Sequence, residues 1–349
     1  EVHAVLGAQL DPRSNLAGLL RLSDTNFRGT GQSIGIHFLQ ATTGSGASLD
    51  INYSNPVIDD RGSLLSASAY SRVLYRFAGL GFGGGGTPTD DNRYTERRTG
   101  GSIGFSRPFK EDTLVAGLSL RAENIRTEDL TTNTGNDFIQ QDGDVAILAG
   151  SLTMNRRDVD LDPSRGSWAR LLIEPGYSNI TRVGGQTNNS DILGSNTFLR
   201  NSIEYRAYLS PGPPRGLKLD EPRRVFALRA RYGMITGKVP FFEQFFVGGS
   251  DSLRGYSEDR FWGKNMIALT AEYRHPIQKS FNAIAFVDWG GAWGGYGSVN
   301  TFTQSSTPRM HLGYGLGLSF RTPLGPIRID YGFNENGGSR THLLIGTSF

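Results

Sequence analysis

The chain of 349 residues contains no cysteine, which excludes disulfides and any chemistry that depends on a thiolate. It also lacks a long apolar run: no segment approaches the roughly 18 residues that a transmembrane helix needs. No lysine or arginine cluster stands out, and a net charge of +3 is too small to argue for nucleic acid as a partner. The five histidines, His3, His37, His275, His311 and His342, are scattered without a metal-ligand spacing, so neither a metal nor any other cofactor is expected. Gly83 to Gly86 lack the Lys-Ser/Thr of a phosphate loop and read as part of an outer loop. Asp251, Glu258 and Asp259 miss the spacing of a 12-residue calcium loop. No catalytic constellation emerges, and the chain is not expected to be an enzyme. No signal peptide opens it: Glu1 runs directly into strand-like sequence, as expected of a processed or truncated chain.

What the chain has instead is glycine (47 residues), 20 Phe and 13 Tyr, and one pattern used again and again. Stretches of about 8–13 residues alternate apolar and polar between turn-rich segments. Ile327, Ile329, Tyr331 and Phe333 share one face, with Arg328, Asp330 and Gly332 on the other. Phe226, Leu228, Ala230, Tyr232 and Met234 alternate in the same way with Ala227, Arg229, Arg231 and Gly233. In a soluble sandwich the apolar faces would pack on a second sheet. Here nearly every strand carries charge on its other face, and no helix-period segment exists to cover the apolar one. Lipid is the partner that fits. The negative mean hydropathy agrees, because a barrel that alternates lipid-facing and lumen-facing residues averages to polar.

Sixteen strands are expected, near 2–9, 15–24, 31–42, 46–55, 63–77, 93–107, 113–126, 143–155, 166–178, 195–208, 223–236, 263–275, 280–291, 310–321, 325–333 and 341–349. An even number suits a closed antiparallel barrel, which has no edge to leave unpaired in lipid. The connections alternate in length. Short turns fall at 26–31, 108–112, 275–278 and 322–326; long polar loops fall at 78–92, 127–142, 179–194, 237–262 and 294–309. The short set would face the periplasm and the long set the outside. The stretch from Pro211 to Pro222 is a longer connection on the short-turn side. The fold class is therefore all-β, a transmembrane antiparallel barrel of sixteen strands occupying residues 1–349 as a single domain.

Two segments carry the functional signal. Leu253, Arg254, Gly255 and Tyr256 form a glycine-flanked loop that presents one cation, after an aromatic run from Phe241 to Phe246. Thirty residues on, Phe286, Asp288 and Gly290 lie on one strand. There Phe281, Ala283, Ala285, Val287 and Trp289 share the lipid face, so Asp288 points into the lumen, and Glu272 on the preceding strand is also inward. Next, Leu312, Tyr314, Leu316 and Leu318 face out, leaving Gly313, Gly315 and Gly317 as a strip without side chains where another backbone could lie. The chain ends on an aromatic strand, with Leu343, Ile345, Thr347 and Phe349 on one face and Gly346 among them.

These motifs resemble the paired signature of the Omp85 superfamily, outer-membrane barrels that insert or secrete other proteins. The turns at Gly29–Gly35, Asn55–Gly62 and Asp162–Trp168 are similar to turns of that family, so the resemblance covers most of the chain. It implies that the long loop at 237–262, the sixth connection on the outer side (loop six), folds into the lumen and that Arg254 docks on Asp288, with Glu272, Phe286 and Gly290 as further docking partners. It implies that the last strand is read as an assembly signal, and that Gly346, near Ile345 and Phe349, lets this strand kink at a weak seam with the first. The expected function follows from the assembly branch of the family: an insertase that folds β-barrel clients through a lateral gate in a bacterial-type outer membrane. Its partners would be the lipid bilayer, unfolded barrel clients, periplasmic chaperones and accessory lipoproteins. The alternatives are a two-partner-type secretion pore exporting a passenger through the lumen, and a passive porin. Family members carry periplasmic POTRA modules ahead of the barrel; none precedes it here, and they are expected to have been removed or to lie outside this chain.

Overall fold

The computed structural model describes residues 2–11, 15–41, 46–76, 94–110, 113–128, 138–160, 162–187, 189–214, 221–299, 302–322 and 325–345. The first half supplies β1 (Val2–Asp11), β2 (Asn15–Phe27), β3 (Gln32–Ala41), β4 (Ala47–Asn55), β5 (Leu64–Arg76), β6 (Tyr94–Phe109), β7 (Leu114–Glu128) and β8 (Ile139–Asn155). The second supplies β9 (Gly166–Gly185), β10 (Gly194–Leu209), β11 (Val225–Gly237), β12 (Phe245–Val247), β13 (Phe261–Gln278) and β14 (Phe281–Gly294). A small hairpin, β15 (Ser298–Val299) and β16 (Phe302–Thr303), precedes β17 (His311–Thr322), β18 (Gly325–Asn334) and β19 (Ser339–Ile345).

Sixteen of these strands run as one antiparallel meander in which each pairs with its neighbours in sequence; β12 is a short addition to the edge of β13, and β15–β16 form a separate hairpin. All sixteen expected strands are present. Their lengths differ where loops were expected: β9 continues to Gly185 and β8 begins at Ile139, so their ladder runs several residues into the segments 127–142 and 179–194 expected as loops. The loop expected at 78–92 lies outside the described residues, as do most of 127–142 and the terminal Gly346 and Phe349. Ile345 ends β19.

The faces are inverted relative to a soluble protein. Leu118, Leu228, Ile203, Trp289, Leu316 and Tyr331 are exposed on the outer wall, Leu316 to 67%. Such residues recur on strand after strand, making an apolar belt far larger than the few hundred Å² usual on a soluble monomer. The inner wall buries charge: Arg76, Glu96, Glu123, Arg229, Glu272, Asp288, Arg328 and Asp330 are all buried. Period-two alternation gives this result directly, since each apolar residue that faces out sends its polar neighbour in.

The first and last strands lie beside each other, yet no hydrogen-bonded ladder joins them among the described residues. Every other neighbouring pair of barrel strands is laddered. Among the described residues, the junction of β1 and β19 is thus where the wall has neighbours but no ladder.

Candidate functional site

The site is made by the connection from β11 to β13, which turns inward and fills the lumen. It enters through Val239, Pro240 and a single 3-10 turn at Phe241–Glu243, then forms β12 against β13. Aromatic side chains hold it from two directions. Phe242, Phe245, Val247 and Leu253 join a buried cluster with Ile147, Ile180, Phe198 and Met266 of the walls. Phe241 and Trp262 join a second with Tyr94, Ile139 and Val299. After β12 the chain reverses at Gly248 and Gly249, which have φ of 130° and 87°, a region closed to most side chains. The reversal is closed by Leu253 N–H donating to the Gly249 carbonyl at 3.2 Å and by Gly248 N–H donating to the Ser252 hydroxyl at 2.7 Å. This turn delivers Arg254 to the wall.

Arg254 is buried and uses its whole fork. Its Nε and Nη2 donate to the two carboxylate oxygens of Asp288 at 2.7 Å each, and its backbone N–H adds a third bond to Asp288 at 3.0 Å. Nη1 donates to Glu272 at 2.7 Å and to Asp330 at 3.0 Å. The guanidinium also lies over the Phe286 ring, 3.5 Å from its centroid. A planar, doubly presented donor suits this geometry, where an ammonium, with its donors on one nitrogen, could not make the paired bonds to Asp288 while also reaching Glu272 and Asp330. Around it, Arg328 bonds Asp330 at 2.8 Å and Glu272 at 2.6 Å, and Arg274 bonds Glu272 at 3.0 Å. Three acids from β13, β14 and β18 thus face three arginines. The cluster is neutral as a whole, which is what lets so many charges stay buried.

The loop backbone continues the attachment. Gly255 N–H donates to His342 Nε2 on β19 at 3.2 Å, which places the ring's own proton on Nδ1, and Asn334 donates to the Gly255 carbonyl at 2.8 Å. Leu253 is wholly buried and Tyr256 nearly so, with Tyr256 edge-on to Phe261 at 5.3 Å.

The glycine strip proves to be shared. A methyl group at Gly313 would collide with the Arg254 carbonyl, so Gly313 does give the loop its room. Gly315 instead makes space for the Tyr331 carbonyl and the Phe286 ring, and Gly317 for the Asp330 carboxylate. Gly332 on β18 also lies under the loop, against Gly255 and Arg254. Gly290 is not a loop contact: its open face lies against Ile267 and Ala268 of β13, where it allows close strand packing.

A second anchor lies on the far wall. Glu243, buried, accepts from Arg121 at 3.0 Å, from Arg98 at 3.3 Å and from Arg200 at 3.5 Å, so strands β7, β6 and β10 all hold it. The Phe242 carbonyl accepts from Arg98 at 3.0 Å, and Arg76, paired with Glu96 through two bonds of 2.9 Å, stacks over Phe246. The loop is thereby stretched across the lumen between two charge clusters. Glu243 was missed in the sequence, although a lone carboxylate inside an aromatic run is a signal, because burying the run obliges that charge to find cations. Asp330, Arg328 and Arg274 were also missed as members of the dock, although the alternation already turned Asp330 and Arg328 inward. Among the described residues no group of acids and histidines could hold a metal ion.

The Omp85 superfamily domain matches residues 26–349. Outer envelope protein 80 of Arabidopsis thaliana chloroplasts is 24% identical over 346 residues, covering 97% of this chain and 44% of that protein. Outer membrane protein assembly factor BamA of Nitratidesulfovibrio vulgaris is 24% identical over 259 residues, covering 69% of this chain and 29% of its own length. The chain thus spans less than half the length of these relatives. Among solved structures, BamA from Haemophilus ducreyi lacking POTRA domains 1–3 superposes with a TM-score of 0.69 at 14% identity, over 100% of this chain and 70% of that one. CdiB from Escherichia coli gives 0.59 at 14% identity, over 99% and 61%. At this identity the structural likeness establishes the fold alone.

Proposed function

The chain belongs to the Omp85 superfamily of outer-membrane β-barrels, and from that premise we propose that it is an assembly factor that inserts β-barrel clients through the seam between β1 and β19. The whole chain acts as one barrel domain in this reading. The observation that carries it is the seam: the two strands are neighbours without a ladder among the described residues, while the rest of the wall is continuously bonded. An unpaired strand edge is a template for another strand. A client strand pairing with β1 by β-augmentation keeps its backbone groups satisfied as it enters lipid, so no chemical energy is required at that step.

Loop six supports the seam from inside. Its dock joins β13, β14, β18 and, through His342, β19, so one side of the seam is braced while β1 is left to the client. The lumen is occupied by the loop and its two anchors, which favours lateral entry over passage through the pore. The membrane is a bacterial-type outer membrane in this proposal, with unfolded barrel proteins as clients and periplasmic chaperones and accessory lipoproteins as helpers. The chloroplast relatives make the plastid outer envelope the other compartment that the resemblance allows.

The absence of cysteine makes the test direct. Single cysteines along β1, for example at the exposed Leu6, and in the lumen, for example at Arg170, are crosslinked to a stalled barrel client and to candidate passengers, in the protein with any native upstream domains restored. Crosslinks from β1 to the client's last strand are expected. Crosslinks confined to lumen positions and an extended passenger would make this a secretion pore and overturn the proposal.

A further inference from the structure

The far-wall anchor of loop six divides its strongest donor between the loop and the wall. Arg121 on β7 sends Nη2 to the two carboxylate oxygens of Glu243, at 3.1 and 3.0 Å. Its Nη1 goes to Glu123, two residues along the same strand, at 2.5 Å. Among the described residues the Nη2 bonds are the shortest that Glu243 accepts, since Arg98 donates at 3.3 Å and Arg200 at 3.5 Å. A divided fork is not the default arrangement. A guanidinium and a carboxylate favour two parallel bonds to one another. Glu123 lies on the same inward face as Arg121 and already makes the shorter bond, so it is the carboxylate placed to take both.

Tyr70 is what withholds it. Alternation along β5 turns Ser66, Ser68 and Tyr70 into the lumen, and the Tyr70 hydroxyl donates to Glu123 Oε1 at 2.5 Å. Arg121 and Arg98 both reach Glu123 through Oε2. The phenol thereby sets the rotation of the carboxylate, one oxygen toward β5 and the other toward the arginines. The register explains its reach. Tyr70 pairs with Gly100 on β6 and Gly100 pairs with Glu123 on β7, so the ring crosses a whole strand where no side chain stands in its way. A methyl at Gly100 would collide with the Ala122 carbonyl and the Glu123 Cα. Arg72 lies over the Tyr70 ring, 4.0 Å from its centroid, and is itself held by Asp50 on β4, to which its Nε donates at 2.5 Å. Tyr70 and Glu123 are both buried, and the ring is fixed between β4 and β7.

We infer that Tyr70 is a positioning residue for loop six: its hydroxyl holds Glu123 to a single bond with Arg121 and so keeps Nη2 for Glu243. The inference deepens, and rests on, the reading of a seated loop six as the brace of the seam. Without the hydroxyl, Glu123 turns both oxygens to Arg121 and Nη2 leaves Glu243. The first limb then keeps only the longer bonds from Arg98 and Arg200 and its aromatic packing. No charge is gained or lost in this exchange, so the wall stays balanced while the loop loosens. Tyr70 acts at one remove, through Glu123 and Arg121, and its influence on the loop vanishes when Glu123 can no longer compete for the fork.

The test follows hydrogen exchange of the Phe241, Glu243 and Gln244 amides, which donate to Gln141, Pro240 and Phe241, in the full chain folded in detergent micelles. Tyr70→Phe keeps the ring and removes only the hydroxyl. Exchange at these amides is expected to rise by about tenfold, the fold-change that one lost hydrogen bond produces. Adding Glu123→Gln, whose neutral amide cannot accept the arginine fork through two oxygens, should return exchange toward the parent rate. That reversal separates positioning from plain structure, because a second loss in a merely weakened wall would add to the first. Ser68→Ala, which removes the 2.8 Å contact with Ser102 on the same inner face, should leave exchange unchanged. Unchanged exchange in Tyr70→Phe, or an increase that Glu123→Gln leaves standing or enlarges, overturns the inference. The readout needs no client, so its failure leaves lateral insertion untouched, and client crosslinks confined to the lumen would leave the role of Tyr70 intact.

Discussion

Arg254 and Asp288, separated by 34 residues in sequence, are joined by three hydrogen bonds, two from the guanidinium and one from the backbone of the same residue. The backbone bond matters because it fixes the turn as well as the side chain. Replacing Arg254 with alanine removes the cation and leaves Glu272, Asp288 and Asp330 facing only Arg274 and Arg328. Breaking a buried pair on one side costs about 3–5 kcal/mol. Arg254→Ala is therefore expected to free loop six, read as rapid protease cleavage between Gly248 and Arg260 in a barrel that retains its heat-modifiable mobility. A loop that stays protected would sink this account of the dock.

Charge balance gives a sharper version. The double variant Arg254→Ala/Asp288→Ala leaves two acids and two arginines, so it should be more resistant to denaturant than Arg254→Ala alone while its loop stays undocked. If the double variant were the weaker barrel, packing rather than balance would govern the cluster.

Glu243 offers an independent handle on the other limb. Glu243→Gln removes the charge that Arg98, Arg121 and Arg200 converge on and leaves the Arg254 contacts untouched. Arg98, Arg121 and Arg200 keep Glu96, Glu123 and Glu174 on the wall but lose the one carboxylate that ties them to the loop, so the first limb of the loop should lift from the wall. Planar-bilayer recordings are expected to show larger or more frequent openings than the parent protein. Unchanged conductance would mean that the aromatic clusters alone hold the limb.

The glycine under the loop makes a steric prediction. Gly313→Ala sets a methyl against the Arg254 carbonyl, and is expected to loosen the loop as Arg254→Ala does. Gly150→Ala, whose methyl would stand 3.8 Å from the Ile173 carbonyl, is the matched control and should be silent in the same protease assay.

At the short-turn end, Asp59 accepts from the Ser63 N–H at 3.0 Å and its hydroxyl at 2.8 Å, from the Arg61 N–H at 3.0 Å, and from Arg107. The Ser63 bonds foremost, then Arg107 and Arg61, outweigh a desolvation penalty and hold this carboxyl well below its usual range. A depressed folded value means that its support is fully present above the ordinary Asp value of about 3.9 and fades as pH falls below it. Protection of the Ile58 and Ser63 amides against exchange should drop below about pH 4 in the parent. In Asp59→Asn the protection should be lower throughout and without that acid step.

The strands were legible because alternation is a local property: Ile327 to Phe333 announces two faces without reference to anything else in the chain. Height along the barrel is not local. Parity turned Asp330 and Arg328 inward, but whether they stand level with Arg254 depends on the stagger of β17 and β18, which no single strand records. The same limit hid Glu243, whose cations come from strands β6, β7 and β10. It explains Gly290 as well: the sequence placed it on the inward face, but only the β13–β14 register puts it against Ala268. The short β12, β15 and β16 had no periodicity long enough to read.

The partners of loop six are met in a definite order as a chain is made. Arg254 and Gly255 bond to residues 18, 34, 76 and 87 positions further on, at Glu272, Asp288, Asp330 and His342. A nascent or truncated barrel that stops before β18 can offer the arginine only part of its cradle, with an acid and a cation still missing. The loop can therefore seat fully only after the C-terminal hairpin has arrived. Its docking works as a completion signal, and a barrel with a damaged last hairpin would betray itself by an unseated loop long before its wall fell apart.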